Sequence, residues 1–329
     1  MEKIDILMAT YNGEEFLREQ IDSILEQTYS NFRLIISDDC SKDNTREILR
    51  EYQKKDERIE IYFQEKNLGY VKNFEFLLNK VQNEIYMLSD QDDYWLPNKV
   101  EKSLEKLKEE KADFVFGDLE VVDKNLKKIY ESFGDFMLLN RKIEKYIDSY
   151  KVNYLYNCVT GCTILAKKDT LKNILPIPKI SKYLIHDHWM GLMAAIYGKV
   201  AYIPEKYIKY RQHGDNQVGV NKISHGFSKL EQVRRLFIDV KLGVFGTYVE
   251  NANRFPQDIQ ELNNEAYEYF KMIENKKNIN FKQWNVYHEL YKTEKISYYI
   301  LNFIIMNMPV IGRQLFKIRY CFLKLLKKR

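Results

Sequence analysis

Short apolar runs at Ile4 to Ala9, Arg33 to Ser37, Ile59 to Phe63 and Ile85 to Leu88 are separated by stretches with helical spacing. Runs of this length, bounded by turn residues, read as buried strands. Between them, Glu14 to Gln27 carries Phe16, Ile21, Ile24 and Leu25, Asp43 to Tyr52 carries Ile48 and Leu49, and Tyr70 to Val81 carries Phe74, Leu77 and Leu78. Ser41 is placed to cap the second of these helices, and Pro97 to open the helix after the fourth strand. Strand and helix alternating at this spacing predict a mostly parallel, Rossmann-like α/β sheet with helices on both faces. Such sheets bind ligands outside the carboxyl ends of their strands, so those ends are where chemistry is sought.

Ala112 to Val122 and Cys158 to Ala166 read as later strands, and Val200 to Pro204 and Lys206 to Arg211 as two short ones near the end of the sheet domain. From Phe227 to about Leu301 the spacing of Leu230, Val233, Leu236, Phe237 and Val240 is helical. A boundary is expected near 220–225, giving an α/β domain over 1–222 and a helical C-terminal region over 223–329. A chain of 329 residues has room for both. Hydrophobic content of 45% with 30% charged residues excludes a disordered chain, and a net charge of +5 does not by itself imply nucleic acid. Cys40, Cys158, Cys162 and Cys321 form no C-x-x-C motif, which fits a reducing, cytoplasmic compartment. Cys158 and Cys162 read as packing on one strand face. The opening Met-Glu-Lys-Ile-Asp enters a strand pattern and not a secretory leader, and no apolar run reaches the roughly 20 residues that span a bilayer.

After the fourth strand comes Ser89-Asp90-Gln91-Asp92-Asp93-Tyr94-Trp95. Three carboxylates crowd into four residues, and burying them unpaired is costly. A hard divalent cation, Mn²⁺ or Mg²⁺, removes that cost and typically also holds substrate phosphates. The alternative for an isolated D-x-D is a solvated acidic turn. Neither G-x-G-x-x-G nor the P-loop pattern occurs, which removes the two commonest nucleotide uses of such a sheet.

Three further segments converge on the same strand ends. Ala9-Thr10-Tyr11-Asn12 follows the first strand, and Asp38-Asp39 the second. A carboxylate there can accept from the N3–H of uracil or thymine while Tyr11 offers a face to the base; helix capping is the alternative. His186-Asp187-His188-Trp189 opens a helical pattern. Its acid can cap that helix through the dipole, or sit among the imidazoles as a general base beside a sugar hydroxyl. His213, in Tyr210-Arg211-Gln212-His213-Gly214, can complete a metal shell or contact a diphosphate, with Arg211 nearby to offset phosphate charge; otherwise it is an ordinary surface or core residue.

Taken in order, Ala9-Thr10-Tyr11-Asn12-Gly13, Ser37-Asp38-Asp39-Cys40-Ser41-Lys42-Asp43-Asn44-Thr45, Asn67-Leu68-Gly69, Asp90-Gln91-Asp92-Asp93 and His186-Asp187-His188-Trp189 resemble the family 2 glycosyltransferases of the GT-A fold. The resemblance covers roughly residues 3–215, and Cys40 departs from it where glycine is more usual. It implies a metal-dependent, inverting transfer of a sugar from a nucleotide diphosphate. Nucleotide binding would fall to Thr10, Tyr11, Asn12, Asp38, Asp39, Asn67, Asp90 and Gln91. The metal would be held by Asp90 and Asp92, Asp92 directly, with His213. Asp187 would be the catalytic base, and Trp95, His186, His188, Trp189 and Arg211 would line the donor and acceptor pocket. The segment Tyr210 to Asn216 looks like that of bacterial rhamnosyltransferases of surface polysaccharide synthesis, implying a dTDP-rhamnose donor; a UDP-hexose or UDP-N-acetylhexosamine is the alternative.

A polysaccharide or lipid-linked acceptor is expected. From Arg313 onward, Arg313, Lys317, Arg319, Lys324, Lys327, Lys328 and Arg329 interleave with Leu315, Phe316, Ile318, Phe322, Leu323, Leu325 and Leu326. Such a segment suits the cytoplasmic face of a membrane, a terminal helix packed on the body, or a homodimer contact. The acidic strand ends argue against a nucleic-acid groove. A nucleotidyltransferase would want a basic glycine-rich loop where Thr10-Tyr11-Asn12-Gly13-Glu14-Glu15 stands, and a non-catalytic nucleotide-sugar binder has no chemical need for Asp90, Asp92 and Asp187 together.

Overall fold

The computed structural model describes residues 2–136, 147, 149–179, 184–213, 230–275, 286, 288 and 290. The chain forms two compact units, one of 1–177 with 185–220 and one of 178–184 with 221–329.

The first unit is built on a seven-stranded sheet in the order β10-β6-β9-β4-β1-β2-β3. Its strands are β1 (Ile4–Thr10), β2 (Phe32–Asp38), β3 (Ile59–Phe63), β4 (Ile85–Ser89), β6 (Phe114–Gly117), β9 (Leu165–Lys167) and β10 (Val200–Ile203). Every pairing is parallel except those of β9, which runs antiparallel between β4 and β6. Helices α1 (Leu17–Leu25), α2 (Thr45–Lys55), α3 (Tyr70–Leu78) and α4 (Lys99–Glu109) make the crossovers. Leu17, Ile21 and Ile24 of α1, Ile48 and Leu49 of α2, and Val100, Leu104 and Leu107 of α4 join Ile4, Ile6, Leu34, Ile36 and Met87 in one buried core. Each such side chain contributes about 1.5–3 kcal/mol by leaving water. The strands are apolar on both faces because helices cover both.

Register places the site. Thr10 pairs with Asp38 and Met8 with Ser89, so β1, β2 and β4 end at nearly the same level. The loops at 10–13, 38–41 and 89–93 therefore lie side by side.

A second sheet, in the order β5-β11-β7-β8, holds β5 (Tyr94–Trp95), β7 (Glu120–Asp123), β8 (Lys128–Tyr130) and β11 (Ile208–Gln212). This corrects one expectation. The run Ala112 to Val122 is two strands in different sheets, broken at Asp118, whose buried carboxylate accepts from the backbone N–H of Leu119 (2.9 Å) and Gly134 (2.9 Å). The short strand expected at 206–211 forms as β11 and pairs in this smaller sheet. Cys158 to Ala166 is also not one strand, because Gly161–Thr163 form a 3₁₀ turn before β9. Both cysteines are buried, but not by strand alternation. Ser41 does not cap α2: Asn44 is the capping residue, and the Ser41 hydroxyl bonds Asp38 instead.

In the second unit, the helices Leu230–Glu250 and Gln257–Glu274 pack together, with the Phe245 ring stacked on Phe270 at 5.5 Å. Helical spacing from Leu230 is realised there, while the basic segment from Arg313, Cys321 and Gly214 to Asn216 lie outside the described residues. No helix among the described residues is long and apolar enough to cross a membrane.

Candidate active site

The loop after β1 is tied to its neighbours by its backbone. The N–H groups of Asn12 and Gly13 donate to Ser41 Oγ and Thr45 Oγ1, both at 2.8 Å, and Asn12 Oδ1 accepts from Lys42 N at 2.9 Å. The Gln91 carboxamide grips the Tyr11 backbone from both sides, accepting from its N–H at 2.8 Å and donating to its carbonyl at 3.1 Å. A Cβ at Gly13 would push that carboxamide aside, so glycine lets the clamp close. The clamped turn leaves the Tyr11 ring 41% exposed. A flat amphipathic ring held on a rigid loop is suited to a base.

Asp38 and Asp39 turn inward. Asp38 is fully buried and accepts from Ser41 N (3.1 Å), the Ser41 hydroxyl, Arg46 Nε (2.6 Å) and, more weakly, Thr10 Oγ1 (3.4 Å). Asp39 accepts from the N–H groups of Leu68 (2.6 Å) and Gly69 (2.9 Å), while Asn67 Nδ2 donates to the Asp39 carbonyl (3.1 Å). Gly69 has φ +79°, a conformation that favours glycine. Thr10 and Asp38, expected at the nucleotide, are buried with Asp39, and the two aspartates shape the loops that Tyr11 and Asn67 occupy.

Asp90 and Asp92 are half-buried at the end of β4, and Asp93 is fully buried beneath them. Burial, then Asp92 and then Asp187, push the Asp90 carboxyl up to about 7. Asp93 is raised well above the usual range by burial and by Asp92 and Asp90; its Oδ2 has no hydrogen-bond partner among the described residues. Ligand atoms of Asp90, Asp93 and Cys162 lie within 4.8 Å of one another. Burial and the neighbouring acids push the Cys162 thiol well up, so it stays protonated, and the ligands on offer are carboxylate oxygens. His213 Nε2 lies 2.8 Å from Asp92 Oδ2, its ring 4.9 Å from Phe16. Crowded, under-compensated carboxylates beside one imidazole fit a hard divalent cation.

Asp187 sits in the first turn of α5 (His186–Tyr197). Its Oδ1 accepts from His188 N (2.6 Å) and Asn157 Nδ2 (3.2 Å), and its Oδ2 from Gly161 N (3.1 Å). Burial outweighs these bonds and raises its carboxyl to about 7. This is a fixed, nearly neutral-titrating carboxyl, suited to taking a proton.

Four residues expected in the pocket are buried and partnered. Trp95 is 1% exposed, packed in the core with Lys99 Nζ 3.4 Å over its ring. Trp189 is buried and its indole N–H donates to the Ile174 carbonyl at 3.0 Å. His188 is buried with Nε2 against the Asn153 carbonyl. Arg211 is a clamp. Its Nε donates to the Asp92 carbonyl (2.8 Å), its guanidinium also bonds the Lys124 carbonyl and Glu19 and lies 4.5 Å over Phe16, and its N–H donates to Asp93 Oδ1 (3.2 Å). It holds the acidic loop in place. Sequence reading missed Glu19, Lys99 and Tyr70; charge pattern alone did not separate Glu19 from other surface acids.

The mostly parallel α/β sheet, with acids gathered at one set of strand ends, has the GT-A fold. The model for Glycosyl transferase family 2 matches residues 5–175, and the chain belongs to that family. It is 33% identical over 228 residues to a protein of Shigella flexneri named dTDP-rhamnosyl transferase RfbG, covering 65% of this chain and 74% of that one. It is 26% identical over 253 residues to the Escherichia coli UDP-Glc:alpha-D-GlcNAc-diphosphoundecaprenol beta-1,3-glucosyltransferase WfgD, covering 75% and 87%. Among solved structures, the mannosyltransferase PcManGT of Pyrobaculum calidifontis, in complex with GDP-Man and Mn²⁺, shares the fold at TM-score 0.52 and 13% identity, over 95% of this chain and 86% of that one.

Proposed function

We propose that this glycosyltransferase moves rhamnose from dTDP-rhamnose, with inversion, to a hydroxyl of a growing surface polysaccharide or lipid-linked saccharide. The carrying observation is Asp187: buried, fixed by three donors and raised to about 7. As the acceptor oxygen attacks the anomeric carbon, its proton passes to the Asp187 carboxylate, and the bond from that carbon to the diphosphate oxygen breaks with its electron pair leaving on the diphosphate. General-base help of this kind contributes about 10²–10⁴-fold. The departing diphosphate needs no proton, so one carboxylate suffices.

Tyr11 takes the base on its exposed ring, and Asn12, Asn67, Asp39 and Gln91 set the loops around it. Asp90 and Asp92, with His213, are the residues that would hold Mn²⁺ or Mg²⁺, which when bound neutralises the diphosphate. Asp93 lies deeper and braces them. The dTDP-rhamnose donor rests on the likeness to RfbG, and a UDP-hexose donor, as in the name of WfgD, is the second reading. The basic segment from Arg313 to Arg329 would hold the enzyme peripherally at the inner membrane face, where a lipid-linked acceptor resides.

Metal-dependent cleavage of dTDP-rhamnose, UDP-glucose, UDP-N-acetylglucosamine and GDP-mannose tests this directly. Turnover of dTDP-rhamnose above the rest is expected. Preference for a UDP-sugar keeps the mechanism and moves the donor, whereas turnover of none of them contradicts the proposal.

A further inference from the structure

In the first turn of α5, Asp187, His188 and Trp189 all have partners. His186 does not. It is 7% exposed, and neither ring nitrogen has a hydrogen-bond partner among the described residues. Its ring is stacked on Phe74 at 4.4 Å and meets the edge of Tyr70 at 5.9 Å. Burial pulls its pKa down to about 4, so the imidazole is neutral and offers one N–H donor and one lone-pair acceptor. Buried polar groups are nearly always bonded, so an imidazole with both nitrogens open requires an explanation.

Gly161 supplies one. A Cβ built there would lie 3.3 Å from His186 Nε2 and 3.8 Å from Asp187 Oδ2. Its φ is not in the left-handed region, so a side chain there would press on the imidazole and not strain the backbone. The His186 ring edge and the Asp187 carboxylate thus converge over a residue without a side chain. Tyr70, 38% exposed, adds an aromatic face beside them.

We propose that His186, over Gly161 and beside Tyr70, binds a second hydroxyl of the acceptor saccharide, next to the hydroxyl that Asp187 deprotonates. This rests on the reading of Asp187 as the base. A hydroxyl both donates and accepts, which is the complement of a neutral imidazole. The acceptor class is therefore a neutral saccharide presenting a diol. A carboxylate at that position is disfavoured by Asp187 and Asp90 and by the aromatic wall.

The test uses the full-length enzyme with His186→Phe, Gly161→Ala and Asp187→Asn. Labelled sugar is transferred from the four donors above to membranes from source cells lacking the gene, with the membrane amount varied. Without ligand, His186→Phe is expected to raise Tm by roughly 2 °C or more, because it keeps the stack on Phe74 and removes two unbonded nitrogens. Both His186→Phe and Gly161→Ala are expected to raise the half-saturating membrane amount roughly tenfold, the loss of one to two hydrogen bonds, with a smaller change in donor KM. A lower Tm with unchanged membrane saturation overturns the proposal and makes His186 a packing residue. A rise confined to donor KM also overturns it, assigning the contact to the donor sugar. If Asp187→Asn is inactive while His186→Phe behaves as wild type, only this inference fails; if Asp187→Asn keeps the wild-type rate, the base reading fails with it.

Discussion

The two ends of the main sheet treat the same residue type in opposite ways. At the amino end of β1, Asp5 is fully buried yet accepts from Arg33 Nε (3.0 Å), Gln82 N (2.7 Å), Asn83 N (3.0 Å) and Asn83 Nδ2 (2.6 Å). Burial pushes its pKa up, but these partners outweigh it and hold the carboxyl below the usual range. At the carboxyl end, Asp90, Asp93 and Asp187 are also withdrawn from water, and all three are raised. Asp5 counts an arginine among its partners and holds structure together. Among the described residues Asp187 is bonded to neutral donors alone, and Asp90 and Asp93 crowd other acids, which leaves these carboxyls ready for a proton and a cation.

The largest expected break in this contrast is Asp187→Asn. It keeps the shape and donor affinity of the site and lowers turnover about 10²–10⁴-fold, read as kcat beside the calorimetric affinity for nucleotide-sugar. At the opposite end, Asp5→Ala should lower folding stability by about 3 kcal/mol, since it leaves the N–H groups of Gln82 and Asn83 and the Asn83 amide without their acceptor and Arg33 with Glu60 as its remaining carboxylate, with turnover per folded molecule little changed. Denaturant melts and active-site-normalised rates separate the two. The sign of the pH dependence differs as well. The Asp5 contribution to stability is present above pH 3.8, the unfolded value, and is lost as pH falls through its lower folded pKa. Asp187 must be ionised to act, so the rate should rise through about pH 7 and fall roughly tenfold per unit below it. The smallest effect is at the nucleotide loop, where Tyr11→Ala should weaken nucleoside diphosphate binding about tenfold and Tyr11→Phe hardly at all, by calorimetry.

Much of this arrangement was legible in the sequence. The apolar runs and helical spacing place β1 to β4 and their crossovers, and the motif order places Asp90, Asp92, Asp187 and His213 at one rim. What spacing did not convey is where a side chain points. Trp95 and Trp189 are near the chemistry in sequence but face the core, and Arg211 looks like a phosphate ligand until its bonds to Asp92, Lys124 and Glu19 are seen. Asp38 was equally readable as cap or ligand, and only its four bonds decide. The break at Asp118 and the turn at Gly161 were hidden because long-range pairing, not local propensity, assigns 112–122 to two sheets and ends the run at 158–166.

The most direct test of the central claim, that the crowded acids after β4 await a cation and a nucleotide diphosphate, is calorimetry of dTDP and UDP with Mn²⁺ and with EDTA, on the wild type and Asp92→Asn. The account predicts binding that needs Mn²⁺ and is lost in Asp92→Asn. Equal affinity in EDTA, or an unaffected Asp92→Asn, would contradict it.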